Sequence, residues 1–172
     1  MFKIAGILCI LAGCTGWGIS RIGEERSRVR HLREMIRIIR RIRDEIGYSK
    51  HTLPEICLIL SEHCDSLYQP YFKRIHEQMS RGSGASLDSI WEQQIRQCLC
   101  GAPLSEDEKD ILKNLPKNVG MQEEKLQAGS IGRSVELLVR NCRKAEDAYD
   151  NKAKMILSVS VLTGIFLTIL LN

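Results

Sequence analysis

Hydrophobic and charged positions divide the chain into three parts. Residues 4–20 and 155–172 contain no charged side chain, whereas the part between them is rich in charge. A charge-free apolar run of about 17 residues is at the lower limit for crossing a membrane as a helix. We therefore predict one transmembrane helix in residues 1–20, a separate folded domain in residues 21–154, and a second transmembrane helix in residues 155–172.

The first helix of the middle domain has one apolar face and one arginine face. Apolar residues recur every three or four positions, which gathers them on one side of an α-helix. Ile38, Arg28 and Arg43 fit neither face. The apolar face consists of Val29, Leu32, Met35, Ile36, Ile39, Ile42 and Ile46, and the arginine face of Arg26, Arg30, Arg33, Arg37, Arg40 and Arg41. We expect the first face to pack against protein and the second to meet anionic lipid or a protein partner.

Capping signals and proline positions predict five further helices. Thr52 and Ser105 each begin a capping box, Ser86 is an N-cap, and Pro70 lies in a first turn. Leu67 and Leu87 are expected in the core with the other apolar residues of their helices.

Pro116 should end the fifth helix. The last helix should begin near Met121 or Gln122, and it carries apolar residues at alternating spacings of four and three, which is typical of a packing seam. These are Ile131, Val135, Leu138, Cys142, Ala145 and Tyr149.

No stretch of the sequence alternates at the period of a β-strand. The predicted fold is therefore all-α: a six-helix antiparallel bundle whose first and last helices continue into the transmembrane spans.

The distribution of arginines predicts the membrane topology. Nine arginines lie between Arg21 and Arg43, directly after the first apolar segment. Positive charge beside a span stays on the cytosolic side, so the middle domain should be cytosolic and both termini outside. The same arginines oppose a cleaved signal peptide. They also oppose export as a lipoprotein, although Leu11-Ala12-Gly13-Cys14 resembles a lipobox, and we favour a retained transmembrane helix.

Residues with catalytic or ligand-binding chemistry are scattered. The seven cysteines fit reduced thiols used as small apolar residues, and the four histidines form no metal-binding motif. The acids from Glu106 to Asp110 are explained by a solvated first turn that matches the helix dipole. We therefore predict no catalytic, cofactor or metal site, and no enzyme.

The candidate contacts to a partner or to lipid are the six residues of the arginine face, together with Glu45 and Tyr48 at the end of the first helix. Glu45 occupies the last turn of the first helix, where the helix dipole disfavours acids. Either the residue lies at the surface without effect, or its side chain bonds across the turn to the second helix or to a partner. Nucleic acid is not expected because aromatic platforms are absent and the interspersed Glu24, Glu25 and Glu34 dilute the arginine face.

The order of several short motifs resembles the stage III sporulation protein AB family. A basic helix leads into Glu45-Ile46-Gly47-Tyr48, a polar turn and Thr52-Leu53-Pro54, where the family has Thr-Pro-Leu. Ile90-Trp91-Glu92-Gln93 and Val119-Gly120 follow in the family's order. The resemblance covers essentially the whole chain; no single motif is highly specific, but their joint order is.

That resemblance implies a structural membrane component of the secretion-like channel between mother cell and forespore, which endospore formation needs. It places the protein in the mother-cell membrane around the forespore. It implies a cytosolic part similar to the F-type platform domain of type II secretion. The implied partners belong to the set of mother-cell proteins that build this channel: the AA member, a secretion-type ATPase, and the other members of the same channel complex. The alternatives are a protein lipid-anchored at Cys14, a general type II secretion or pilus-like assembly protein, and a sensory protein.

Overall fold

The computed structural model describes residues 2–49, 51–81, 84, 86–119 and 124–171. Side chains outside this description include those of residues 2–22, 48–49, 118–119 and 124–130 and most of those beyond residue 156. Within the described ranges the chain forms helices and no strands, so the all-α prediction is confirmed. The helices are α1 (Phe2–Asp44) with a π-helical turn (Glu45–Ser49), α2 (Leu53–His63), α3 (Gln69–Ser80), α4 (Leu87–Cys98), α5 (Glu106–Lys113), α6 (Leu115–Val119) and α7 (Glu124–Leu171).

The described part has seven α-helices instead of the predicted six because the segment around Pro116 forms a short helix of its own. Pro116 was expected to end the fifth helix, but it lies in the first turn of the short helix α6. A proline is tolerated there because the N–H that it lacks has no partner within the helix. The predicted start of the last helix, at Met121 or Gln122, lies outside the described residues.

Helices α1 and α7 pair side by side in antiparallel directions. Glu25 pairs with Lys152, and further along α1 Arg33 pairs with Glu146. The predicted seam of α7 is buried from Ile131 to Ala145, with Tyr149 half-buried. The predicted apolar face of α1 is buried as far as Ile42, and its buried arc also includes Ile38, which sequence periodicity had left unassigned.

The short helices α2 to α5 complete the core around one tryptophan. Trp91 of α4 is fully buried. Its ring meets Phe72 of α3 edge to face, with the centroids 5.8 Å apart. Its Nε1 donates a hydrogen bond of 2.8 Å to the carbonyl oxygen of Leu112 in α5. One side chain therefore joins three helices.

Local capping interactions determine where the short helices begin. The backbone N–H of Thr52 donates to Oε2 of Glu55 over 2.7 Å, and that of Ser105 donates to Oε2 of Glu108 over 2.9 Å. Both predicted capping boxes are thereby confirmed, and Ser86 accepts from the N–H of Ser89 as an N-cap should.

Two residues expected in the core are exposed. Leu67 is 46% exposed because α2 already ends at His63, which places Leu67 in the turn before α3. Leu87 is 39% exposed because it is the first residue of α4, where the helix has only begun to contact the core.

Within the described residues, no helical stretch is at once long and apolar enough to cross a bilayer.

Candidate interaction surface

All six predicted arginines lie at the surface of α1. Four of them are held in ion pairs. Arg30 binds Asp65 through two hydrogen bonds of 2.8 and 2.9 Å, and Arg33 donates twice to Glu146. Arg37 pairs with Glu34, and Arg41 pairs with Glu45 at 2.7 Å. Arg30 and Arg33 therefore connect α1 to the α2–α3 turn and to α7, whereas the pairs of Arg37 and Arg41 are local to α1 and the turn after it.

Glu34 anchors the turn between α2 and α3 to α1. Its side chain is buried, and Oε1 accepts a hydrogen bond of 2.7 Å from the backbone N–H of Asp65 while Oε2 pairs with Arg37. A hydrogen bond from the N–H of Leu67 lowers the pKa of Asp65 below its usual value, and the Arg30 guanidinium lowers it to a smaller extent. In the sequence Glu34 only dilutes the arginine face. On a helix it falls beside Arg37 and Arg41 and away from the predicted apolar face, so periodicity gives no signal of its burial.

Glu45 bonds across the turn that follows α1. It is buried, and besides Arg41 it contacts Nδ1 of His51, 2.9 Å away, in the link to α2. Of the readings left open for Glu45, the structure supports the bond across the turn. The side chain of Tyr48 lies outside the described residues.

Glu108 contradicts the expectation that residues 106–110 are all solvated. Its carboxylate is completely buried and accepts hydrogen bonds from Arg28 of α1 at 3.0 Å and Asn141 of α7 at 2.9 Å. The neighbouring Glu106 is exposed, as expected of a first turn. Glu108 differs because α5 lies against α1 and α7 on that side.

Two grooves follow the arginine face, and their charge differs. The first, which we call the proximal groove, has a volume of about 830 Å³ and lies beside the middle of α1. Four carboxylates match its four arginines. The arginines are Arg26, Arg30, Arg33 and Arg37, and the carboxylates are Glu34, Asp65, Glu146 and Asp150.

The second, which we call the distal groove, lies between the C-terminal part of α1 and α7. It consists of two concavities, of about 600 and 440 Å³, that share Arg40, Val139 and Arg143. Seven cationic side chains line it against four acids. The cations are Arg33, Arg37, Arg40, Arg41, Arg140, Arg143 and Lys144, and the acids are Asp44, Glu136, Glu146 and Asp147. The distal groove is therefore the electropositive part of this surface.

The ion pairs increase the difference in charge between the two grooves. Among the described residues, Arg40 has no ion pair, and neither do Arg140, Arg143 and Lys144 of α7. All four are exposed. Sequence analysis identified only Arg40 in this group, because the contribution of α7 depends on how α7 aligns with α1.

A buried histidine next to the proximal groove gives the fold a pH dependence. His31 is buried, and its Nδ1 lies 2.9 Å from the hydroxyl oxygen of Tyr68. Burial lowers the pKa of His31, and the positive charge of the neighbouring Arg30 lowers it further. The pKa of a histidine in the unfolded chain is about 6.5. Below this pH the unfolded chain binds more protons than the folded chain. Stability should therefore be level above this pH and fall over the interval just below it.

Replacement of His31 tests this dependence. The measurement is the unfolding temperature of the full chain in detergent as a function of pH. In His31→Gln this temperature should no longer fall with pH over that interval. The exposed His63 provides the control, since His63→Gln should keep the slope. Asp65 and Glu146, whose pKa values are lowered by their bonds to Leu67 and Arg33 respectively, titrate below the interval. An unchanged slope in His31→Gln would assign the effect to another group.

Comparison with known proteins places the whole chain in one group. Residues 3–172 match the family model described as stage III sporulation protein AB. A stage III sporulation protein AB from Bacillus subtilis (strain 168) is 24% identical over 171 residues, which are 99% of each chain. A solved structure of a stage III sporulation protein AB superposes with a TM-score of 0.63 at 21% identity, covering 72% of this chain and 97% of that one. At this identity the solved structure supports the fold alone.

Proposed function

This chain belongs to the stage III sporulation protein AB family and has a role in sporulation, and from this premise we propose that it is a membrane platform that docks a cytosolic secretion-type ATPase. In this role it is a non-enzymatic part of the channel complex between mother cell and forespore. Residues 1–20 and 155–172 cross the mother-cell membrane, and the bundle formed by residues 21–154 faces the cytosol.

The pairing of α1 with α7 is the observation that carries this proposal. The Glu25–Lys152 and Arg33–Glu146 pairs fix the two helices in antiparallel directions along the bundle. Because of this arrangement, the N-terminal end of α1 and the C-terminal end of α7 leave the bundle on the same side. A pair of helices anchored at one side is suited to hold a bundle at a fixed orientation below a bilayer.

Exposed apolar side chains on α7 support the second span. Met155, Val159, Leu162 and Phe166 are each between 55% and 66% exposed. Their spacings of four, three and four place them on one face of the helix. An apolar stripe of this kind is costly in water and favourable against lipid tails or another apolar helix.

Copurification from sporulating cells tests the platform. A tagged chain extracted from membranes with mild detergent should bring down the AA member, the ATPase of the set, identified by mass spectrometry. A tagged membrane protein of unrelated function, expressed in the same cells at the same level, provides the background. Recovery of the tagged chain in the soluble fraction, or membrane recovery at which the ATPase stays at background, would contradict the proposal.

A further inference from the structure

We propose that the distal groove binds an acidic amphipathic helix of a cytosolic partner protein, with the helix lying between α1 and α7. The inference rests on the proposed function for its membrane orientation. It specifies which part of the arginine face meets a partner and which chemistry that partner presents.

The excess of positive charge in the distal groove is the first argument. Arg40, Arg140, Arg143 and Lys144 are exposed and form no ion pair among the described residues, whereas the groove contains only two carboxylates that are likewise unpaired, Glu136 and Asp147. Arg37 and Arg41 also line this groove, but they already form ion pairs with Glu34 and Glu45. An acidic ligand would therefore gain favourable interactions without breaking the pairs that hold the bundle.

The floor of the groove is apolar. Ile36 of α1 and Cys142 of α7 are buried at its base, and Val139 between them is half-buried. Two packed helices leave a groove into which a third helix can lay an apolar face, and charges at the rim then set its orientation. An apolar floor with a cationic rim fits a helix that has leucine-like residues on one face and acids on its flanks.

Distance argues against lipid as the occupant. Arg40 lies 19 residues after Arg21, the first charge beyond the predicted span, which is about 28 Å along a helix. Attraction to an anionic membrane surface falls off over a Debye length of about 8 Å. The proximal groove lies closer to the predicted span, yet its arginines are matched by carboxylates. The excess positive charge is thus located where a cytosolic protein reaches it and lipid does not.

Peptide binding to the full chain in zwitterionic nanodiscs tests this inference. The probe is a fluorescent 18-residue helical peptide with leucines along one face and glutamates elsewhere, titrated by anisotropy. The triple variant Arg40→Glu, Arg140→Glu, Arg143→Glu should weaken its binding about tenfold or more. The matched control is Arg26→Glu, Lys73→Glu, Arg81→Glu, which changes the net charge equally at exposed positions outside the distal groove. It should change binding less than about twofold.

Two further measurements separate the groove from general charge attraction and from lipid. A peptide of the same composition with its leucines scattered should bind several times more weakly than the amphipathic peptide. Vesicles of phosphatidylglycerol and phosphatidylcholine in equal amounts should not displace the amphipathic peptide. Equal loss in both triple variants, equal binding of both peptides, or displacement by the vesicles would each overturn the proposal. None of these results depends on copurification of the ATPase, so the platform function and the groove can fail separately.

Discussion

Replacing Trp91 with alanine should lower the free energy of unfolding by about 4 kcal/mol. The indole is fully buried, packs edge to face on Phe72 and donates a hydrogen bond to the carbonyl of Leu112. Its removal would leave a cavity between α3, α4 and α5 and an unsatisfied carbonyl in the last turn of α5. Since a domain of this size is typically stable by about 5–15 kcal/mol, the loss is a large share of the total.

Urea unfolding of the detergent-solubilised full chain, followed by far-ultraviolet circular dichroism, measures this effect. Trp91→Phe keeps one aromatic ring but loses the hydrogen bond and part of the buried volume, so an intermediate loss of about 2 kcal/mol is expected. Leu87→Ala alters the first residue of the same helix, which is 39% exposed, and should cost less than about 1 kcal/mol. If Trp91→Ala were as mild as Leu87→Ala, the short helices would not form the common core described for them.

Features that depend on neighbouring residues in the sequence could be predicted. The capping boxes at Thr52 and Ser105 involve donors and acceptors three residues apart, so their pattern is visible without the fold. The buried seam of α7 and the apolar face of α1 follow from helical periodicity, which is also a local property. Pro116 was ambiguous because a proline can follow one helix or stand in the first turn of the next.

Features that depend on distant parts of the chain could not be predicted. Arg28 and Glu108 are 80 residues apart, and only the packing of α5 on α1 and α7 brings them together. The distal groove likewise required the alignment of α7 with α1, because periodicity shows that α7 has a seam but not which arginines of α1 its outer face approaches. Sequence reasoning therefore located the arginine face correctly but could not separate its neutral part from its electropositive part.

Replacing Glu108 with alanine should lower the free energy of unfolding by about 3 kcal/mol. The carboxylate is completely buried and receives hydrogen bonds from Arg28, Asn141 and the N–H of Ser105, which connects α1, α7 and the start of α5. Arg28 already has a buried Nε without a partner among the described residues, so loss of Glu108 would leave it further unsatisfied. The side chain of Arg28 is 36% exposed, and its access to water keeps the cost below that of a fully buried pair.

Neighbouring substitutions show whether the effect belongs to the buried carboxylate. Glu106→Ala removes an exposed acid whose pairs with Lys109 and Lys113 are screened by water, so it should lower stability far less than Glu108→Ala. The double variant Arg28→Met, Glu108→Leu removes both charges and fills their space, so it should be more stable than Glu108→Ala alone. If Glu108→Ala proved as harmless as Glu106→Ala, the solvated first turn expected from the sequence would be correct, and α5 would not be fixed to the α1–α7 pair by this carboxylate.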